Sequence, residues 1–360
     1  MTRGRPSIHL SIEERPQGRV ARLEVDHPGK LNILNRALMQ ALVRKLEALA
    51  ADEALRVLVL SGRGDSAFIG GADIREMAAL TPRSARAFIQ LLHRVCDGLR
   101  RLPVPVIARI RGYALGAGLE VAASCDLRIA ADDARFGMPE VKLGIPSVIE
   151  AALLPSLIGW GRTRRLLYTG ETIDAREAER CGLVERAVAA AELDAAVEEW
   201  VAAILACAPR AIRLQKALIR AWEELPPSRA VERGIAAFAQ AYKSDEPRRL
   251  MGGFLAAAAL RRKARRQPSY SPLSSLGLHS LTSSAEPAAS SPQLLPGKPS
   301  AARPAVGNLA ASRARAASFP RPARSTAKPW RPGLWPMRST DRTPSSSSLS
   351  RPKSLAALAR

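Results

Sequence analysis

Two stretches of the chain combine small residues with a junction between a strand and a helix. The first is Phe68-Ile69-Gly70-Gly71-Ala72-Asp73-Ile74; the second is Gly112-Tyr113-Ala114-Leu115-Gly116-Ala117-Gly118-Leu119-Glu120. Small residues there let a ligand approach backbone N–H groups, and a helix start adds unpaired donors at the positive end of its dipole. Two such junctions facing each other would form an oxyanion hole. The same residues also suit two tight turns with no ligand, and spacing does not separate the two readings. Neither stretch matches a G-x-G-x-x-G or Walker loop, which disfavours nucleotide binding of those kinds. Two carboxylates follow: Glu120 closes the second stretch, and Glu140 lies in Phe136-Gly137-Met138-Pro139-Glu140. Paired carboxylates can hold a water and shuttle its protons, although glutamates are most often plain surface residues. Asp126, after Cys125, reads as a cap or turn residue.

Regular elements must position these groups. Ile8–Glu13 and Val20–Val25 alternate like the arms of a hairpin around Pro16-Gln17-Gly18. Leu38, Leu42, Leu46 and Leu49 mark one face of a helix over Asn35–Ala51, and Phe88, Leu91, Leu92, Val95 and Leu99 mark another over Pro82–Arg101. Leu55–Leu60, Val104–Ile110 and Leu127–Ala131 read as strands. Beyond Pro146 the pattern is nearly all helical, with segments around Val148–Leu157, Gly161–Thr169, Asp174–Cys181, Leu193–Ala208, Pro209–Leu225, Arg229–Tyr242 and Pro247–Arg262. Strands interleaved with helices, then helices alone, give an α/β core with a helical C-terminal part.

Composition narrows the function classes. The 360 residues carry 55 Lys and Arg against 33 Asp and Glu, a net charge of +22, which raises nucleic acid as a partner. Half of that charge lies in residues 271–360, where 13 Lys and Arg face only Glu286 and Asp341 among 13 of the 27 prolines and 19 serines. No apolar periodicity survives there, and a disordered basic tail is expected over 269–360. Trp330 and Trp335 stand among its prolines. No apolar run reaches the length of a membrane helix, and the N-terminus lacks the apolar core of a secretory signal. Cys96, Cys125, Cys181 and Cys207 are far apart, and with four histidines they argue against a disulfide framework or a metal centre and for a reducing, cytoplasmic setting.

The ordered series of motifs resembles the crotonase (enoyl-CoA hydratase/isomerase) superfamily over roughly residues 8–262. It is carried by Pro28-Gly29-Lys30-Leu31-Asn32-Ile33-Leu34, Phe68–Ile74, Pro105–Glu120, Cys125–Ala130, Phe136–Gly144 and the run from Thr169-Gly170-Glu171 to Gly182-Leu183-Val184. The resemblance implies a spiral of repeated ββα units over 1–200, a C-terminal helical trimerisation region over 201–268, and a homotrimer or dimer of trimers. It implies an acyl-CoA substrate, with coenzyme A as part of that substrate, no separate cofactor and no metal. By motif position, the N–H groups of Gly70 and Ala117 would bind the thioester oxygen. Lys30, Leu31, Asn32, Gly71, Ala72, Asp73 and Ile74 would cradle the adenine and pantetheine parts. Glu120 and Glu140 fall on the two catalytic glutamate positions of hydratases. Double-bond isomerases commonly keep a carboxylate at the later position only, so the pair favours reversible hydration of a trans-2-enoyl-CoA. Isomerisation or another acyl-CoA reaction is the alternative, and a nucleic-acid-binding relative is the alternative of another class.

Two regions depart from the family pattern. After Gly144, hydratases usually carry a glycine-rich stretch lining the acyl pocket; this chain has Ile145-Pro146-Ser147-Val148-Ile149-Glu150-Ala151. Glu150 is read as an exposed helix residue, against a role in substrate selection. The basic cluster Arg261-Arg262-Lys263-Ala264-Arg265-Arg266 is displaced from its usual place after a terminal Phe, here Phe254. Nothing in the family accounts for residues 271–360, which read as a non-native extension from a shifted reading frame or as a basic tether.

Overall fold

The computed structural model describes residues 5–266; the tail expected over 269–360 lies outside them. The chain runs β1 (Ser7–Arg15), β2 (Gly18–Asp26), α1 (Arg36–Ala50), β3 (Leu55–Gly62), β4 (Ala67–Ile69), α2 (Ile74–Ala78), α3 (Pro82–Arg101), β5 (Val106–Ile110), β6 (Tyr113–Leu115) and α4 (Ala117–Ala123). It continues with β7 (Leu127–Ala131), β8 (Arg135–Gly137), α5 (Leu154–Thr169), β9 (Thr172–Asp174), α6 (Ala175–Cys181), β10 (Arg186–Val188), α7 (Leu193–Ala206), α8 (Pro209–Glu224), α9 (Pro227–Ala241) and α10 (Glu246–Arg266). Two 3₁₀ turns, Pro139–Leu143 and Ile149–Leu153, lie between β8 and α5.

Alternation along the strands builds two sheets and two apolar layers. One sheet has the order β1-β2-β3-β5-β7-β10, the other β4-β6-β8-β9. Only β1–β2 and β8–β9 pair antiparallel. Three successive turns, opening with β3, β5 and β7, each lay a longer strand in the first sheet, a three-residue strand in the second, and then a helix. This is the expected ββα spiral. In β3 every residue is buried. Leu58 and Leu60 enter the main core with α1 and α3, whereas Val57 and Val59 face the other way, into a second cluster with Leu193, Val197, Val201 and Leu205 of α7. Successive side chains on a strand point to opposite faces, so a strand covered on both sides is apolar throughout.

Local chemistry sets the helix ends. Asn35 Oδ1 accepts from Leu38 N at 2.9 Å, and Thr81 and Ser84 form a reciprocal capping box at the start of α3. Two expected boundaries move. Residue 200 falls inside α7, whose apolar face belongs to the core; the helical C-terminal part begins at α8. The helix expected over Val148–Leu157 is a 3₁₀ turn followed by α5, which is kinked at Gly159 (φ 76°). The short strands β4, β6, β8, β9 and β10 carry too few residues for a period-2 signal.

α8 is tied to the core by polar contacts. The buried Lys216 ammonium donates to Leu99 O (3.2 Å), Val104 O (2.8 Å) and Asp126 Oδ2 (2.7 Å). Asp126 also accepts from Val106 N at 2.6 Å, so its expected turn role is joined to an ion pair. Burial lowers the Lys216 pKa, and Asp126 opposes that shift. The Glu246 carboxylate, at the head of α10, accepts from Arg210 N (3.2 Å) and Ala211 N (3.1 Å) in the first turn of α8. Lys216→Met leaves Asp126 and two carbonyls without their donor and is expected to destabilise the fold by about 3 kcal/mol, measured by urea unfolding.

Candidate active site

The two glycine-rich junctions meet. A Cβ on Gly118 would fall on the Ile69 carbonyl oxygen, and one on Gly71 would lie 3.4 Å from Leu115 O. The first junction is braced on its other side by residues 31–34. Leu34 N donates to Gly71 O (2.8 Å), Asp73 N donates to Leu34 O (2.8 Å) and Gly70 N donates to Leu31 O (2.8 Å). That last bond corrects the assignment of Gly70: its N–H is spent inside the protein. The N–H groups of Gly71 and Ala72, and across from them those of Ala117 and Gly118, find no acceptor among the described residues. The free N–H groups of the first junction are therefore those of Gly71 and Ala72, in place of Gly70. A Cβ on Gly70 would lie 2.9 Å from both Leu31 Cβ and Leu31 O, so its role is close approach.

The residues expected to hold coenzyme A divide by burial. Leu31 and Ile74 are exposed apolar side chains beside the junction. Lys30 Nζ lies 3.6 Å from Asp73 Oδ2, and Asp73 caps α2 through Arg75 N at 2.9 Å. Asn32 corrects its assignment as a ligand contact. It is buried, its Oδ1 accepts from His27 N (3.1 Å), and its Nδ2 donates to Arg63 O (3.0 Å) and Ala67 O (2.7 Å). Leu31 and Asn32 both take left-handed backbone, φ 51° and 54°, and the Asn32 amide holds that turn.

Both glutamates reach this place. Glu120 lies one turn into α4 and is buried. Its Oε1 accepts from Ala151 N at 3.1 Å. Burial pushes its pKa up to about 8; the Glu140 and Glu150 charges add to that rise, and the Ala151 hydrogen bond opposes it. Glu140, in the first 3₁₀ turn, lies against Gly116, where φ of 52° and the carboxylate leave no room for a Cβ. Ser147 Oγ donates to Glu140 Oε2 at 2.8 Å. The two carboxyl groups thus flank Ala117, one from its own helix and one from the turn packed on the helix start.

Glu150 is not an exposed helix residue. It is buried in the second 3₁₀ turn with Oε1 2.7 Å from His93 Nδ1. The sequence singles out its carboxylate but offers no sign of His93 or Ser147 as partners, because those contacts join α3 and the 145–151 segment across the fold.

A ββα spiral with facing backbone donors and a flanking carboxylate pair defines a class of proteins that polarise a carbonyl and move protons beside it. Residues 15–258 match the Enoyl-CoA hydratase/isomerase family, and the chain belongs to it. A crotonyl-CoA hydratase of Syntrophomonas wolfei is 37% identical over 250 residues, covering 69% of this chain and 95% of that protein. A short-chain-enoyl-CoA hydratase of Clostridium acetobutylicum is 35% identical over 240 residues, covering 66% and 92%. The crystal structure of an enoyl-CoA hydratase from Bacillus anthracis superposes with a TM-score of 0.65 at 30% identity, covering 72% of this chain and 98% of that one.

The junction contact is testable by volume alone. Gly118→Ala drives a methyl into a backbone carbonyl and is expected to lower Tm sharply, by about 2 kcal/mol or more of stability. Gly161→Ala, with open space at its Cβ, should leave Tm in place or raise it slightly.

Proposed function

We propose that this protein is an enoyl-CoA hydratase that adds water reversibly across the double bond of a trans-2-enoyl-CoA. The observation that carries the reading is the joint placement of Glu120 and Glu140 around a pair of unpaired N–H donors. Addition of water at the β-carbon of a conjugated thioester pushes electrons onto the thioester oxygen. Donors fixed in advance at Ala72 and Ala117 stabilise that enolate more than the substrate carbonyl. Ala117 keeps the N–H that the reaction needs while its methyl narrows the pocket. One proton must leave the water and another must reach the α-carbon, so the carboxyl pair needs to hold one proton between its members. In the free protein, burial places that proton on Glu120 at neutral pH. Gly116 leaves space for Glu140, and Ser147 orients it.

Lys30, Leu31, Gly71, Ala72, Asp73 and Ile74 form the mouth that would take the coenzyme A part, and Asn32 positions that mouth from beneath. A short acyl chain is supported by the names of the two curated relatives and by the bulk of Ile145 and Val148 where glycines are usual. A trimer is supported by unpartnered apolar side chains along the C-terminal helices, among them Val231, Ile235, Phe238, Phe254 and Leu255. Among the described residues no helix is long and apolar enough to cross a membrane. Three of the four free cysteines are buried, which suits a reducing compartment such as the cytoplasm.

Loss of the conjugated enoyl absorbance with a panel of enoyl-CoA thioesters reads the reaction directly. Crotonyl-CoA should be turned over, and both Glu120→Ala and Glu140→Ala should lower kcat by about 10²-fold or more. Near-full hydration by Glu120→Ala would remove the two-carboxylate mechanism.

Stability should also report Glu120. Between pH 4.5 and about 8 the folded protein holds a proton on Glu120 that the unfolded chain has released, so this group lowers stability progressively as pH rises through that window. Glu120→Gln is expected to flatten the slope, raising Tm more at the alkaline end than at the acidic end. A parallel shift at all pH values would mean that Glu120 ionises normally.

A further inference from the structure

Segment 145–151 touches both glutamates of the site at once. Ser147 Oγ donates to Glu140 Oε2 at 2.8 Å, and Ala151 N donates to Glu120 Oε1 at 3.1 Å. Ala151 N also donates to Val148 O at 3.0 Å, which closes a turn over residues 148–151. The shape of that turn therefore sets where Ser147 and Ala151 stand relative to each other, and so how the two carboxyl groups are held.

Ile149 takes the second position of the turn with φ of 36°. Left-handed backbone crowds Cβ against the following carbonyl oxygen, and turns with positive φ at this position are dominated by Gly, Asn and Asp. A β-branched residue there is an outlier. Among the described residues, the non-glycine residues with positive φ are Leu31, Asn32 and Ile149. The first two shape the brace under the first glycine-rich junction; the third shapes the segment that reaches both glutamates. Strained backbone persists only where its surroundings over-determine it, and such strain clusters at functional sites. Asn32 is held by the hydrogen bonds of its amide. Ile149 is held by packing, since its partly buried side chain lies against the main apolar core. Glycine enters left-handed backbone without steric cost and leaves it as readily. An isoleucine anchored in the core does not leave.

We propose that Ile149 is a positioning residue, whose core-packed side chain locks the left-handed turn that sets Ser147 on Glu140 and Ala151 on Glu120 together. It touches neither reacting carboxyl group itself and acts through its neighbours in the chain. The kinetic consequence rests on the hydratase reading; the locking of the turn does not.

The test compares Ile149→Gly with Ile149→Val in the full chain by two readouts. The first is hydrogen exchange, followed by mass spectrometry on peptides covering residues 145–155 and on peptides covering β3. Ile149→Gly should speed exchange in the first set by about 10-fold or more and leave β3 unchanged, with Ile149→Val close to wild type. The second readout is hydration of crotonyl-CoA. Ile149→Gly should lower kcat by about 10-fold with KM within about twofold, and Ile149→Val should keep kcat. Ser147→Ala should lower kcat in the wild-type background but add little in Ile149→Gly, where the turn no longer presents the hydroxyl. Unchanged exchange in folded Ile149→Gly overturns the proposal, and so does faster exchange shared by β3. In a chain that hydrates crotonyl-CoA, an unchanged kcat or full additivity with Ser147→Ala also overturns it. If Ile149→Gly does not fold, Ile149→Asn takes its place, because Asn tolerates left-handed backbone; failure of both to fold would make Ile149 a folding residue and overturn the proposal. Absence of any hydration by the wild type would overturn the hydratase reading, while the exchange result still decides the locking of the turn.

Discussion

The site depends on one steric constraint: α4 begins against the end of β4 with backbone touching backbone. Gly118 has no space for a side chain because the Ile69 carbonyl oxygen occupies it. That contact sets two sets of free N–H groups opposite each other. It also fixes the start of a helix whose fourth residue is Glu120. The donors need no side chain to aim them, since strand and helix geometry hold the peptide planes. Such preorganised dipoles cost little reorganisation when charge develops beside them. On its far side the first junction is braced by the 31–34 segment, and that segment is held in turn by the buried Asn32 amide. A chain of contacts thus runs from the ends of β2 and β3 to the free N–H groups of the first junction.

The second organising force is burial of acid. Glu120 lies in the apolar interior with a single hydrogen bond, while Glu140 lies at the surface of the same site with a hydroxyl for company. Burial is what pushes the Glu120 carboxyl up. The 145–151 segment deepens that asymmetry, since it adds a hydroxyl on one side and a carboxylate on the other. The imidazole that meets the added carboxylate comes from α3, a helix that otherwise serves the core.

The C-terminal helices obey different rules. α7 closes the second apolar layer. α8 keeps only Lys216 buried, α9 buries nothing, and α10 exposes Phe254 and Leu255. Their amphipathic faces have the periodicity of core helices without a core to meet. Arg56 and Glu246 nonetheless fix where the region starts. Arg56 donates to Cys207 O at 2.7 Å behind α7, and Glu246 caps α8. The anchoring is polar and local, and the apolar surface remains available to a neighbouring copy.

Much of this was legible in the chain. Alternation marked β1 and β2, and an unbroken apolar run marked β3, because a strand covered on both faces is apolar throughout. Helical spacing of apolar residues marked α1 and α3. The motif order identified the family, and with it Glu120, Glu140 and Ala117. Three-residue strands left no periodic trace, and the second sheet emerged only from pairing between distant segments. Backbone donors are the same atoms in every residue, so sequence could not tell which N–H stays free. Gly70 was the expected donor, yet its N–H is consumed by Leu31, and only the tertiary contact between residues 31–34 and 69–73 leaves Ala72 open. Burial was likewise decided in three dimensions: Asn32 became a brace rather than a ligand contact, and Glu150 a buried carboxyl group in contact with His93. The sequence by itself determined which groups could do chemistry, since side-chain identity and local period are written in it. The tertiary structure decided which of those groups are free, buried or charged, because hydrogen-bond competition and desolvation depend on neighbours far along the chain.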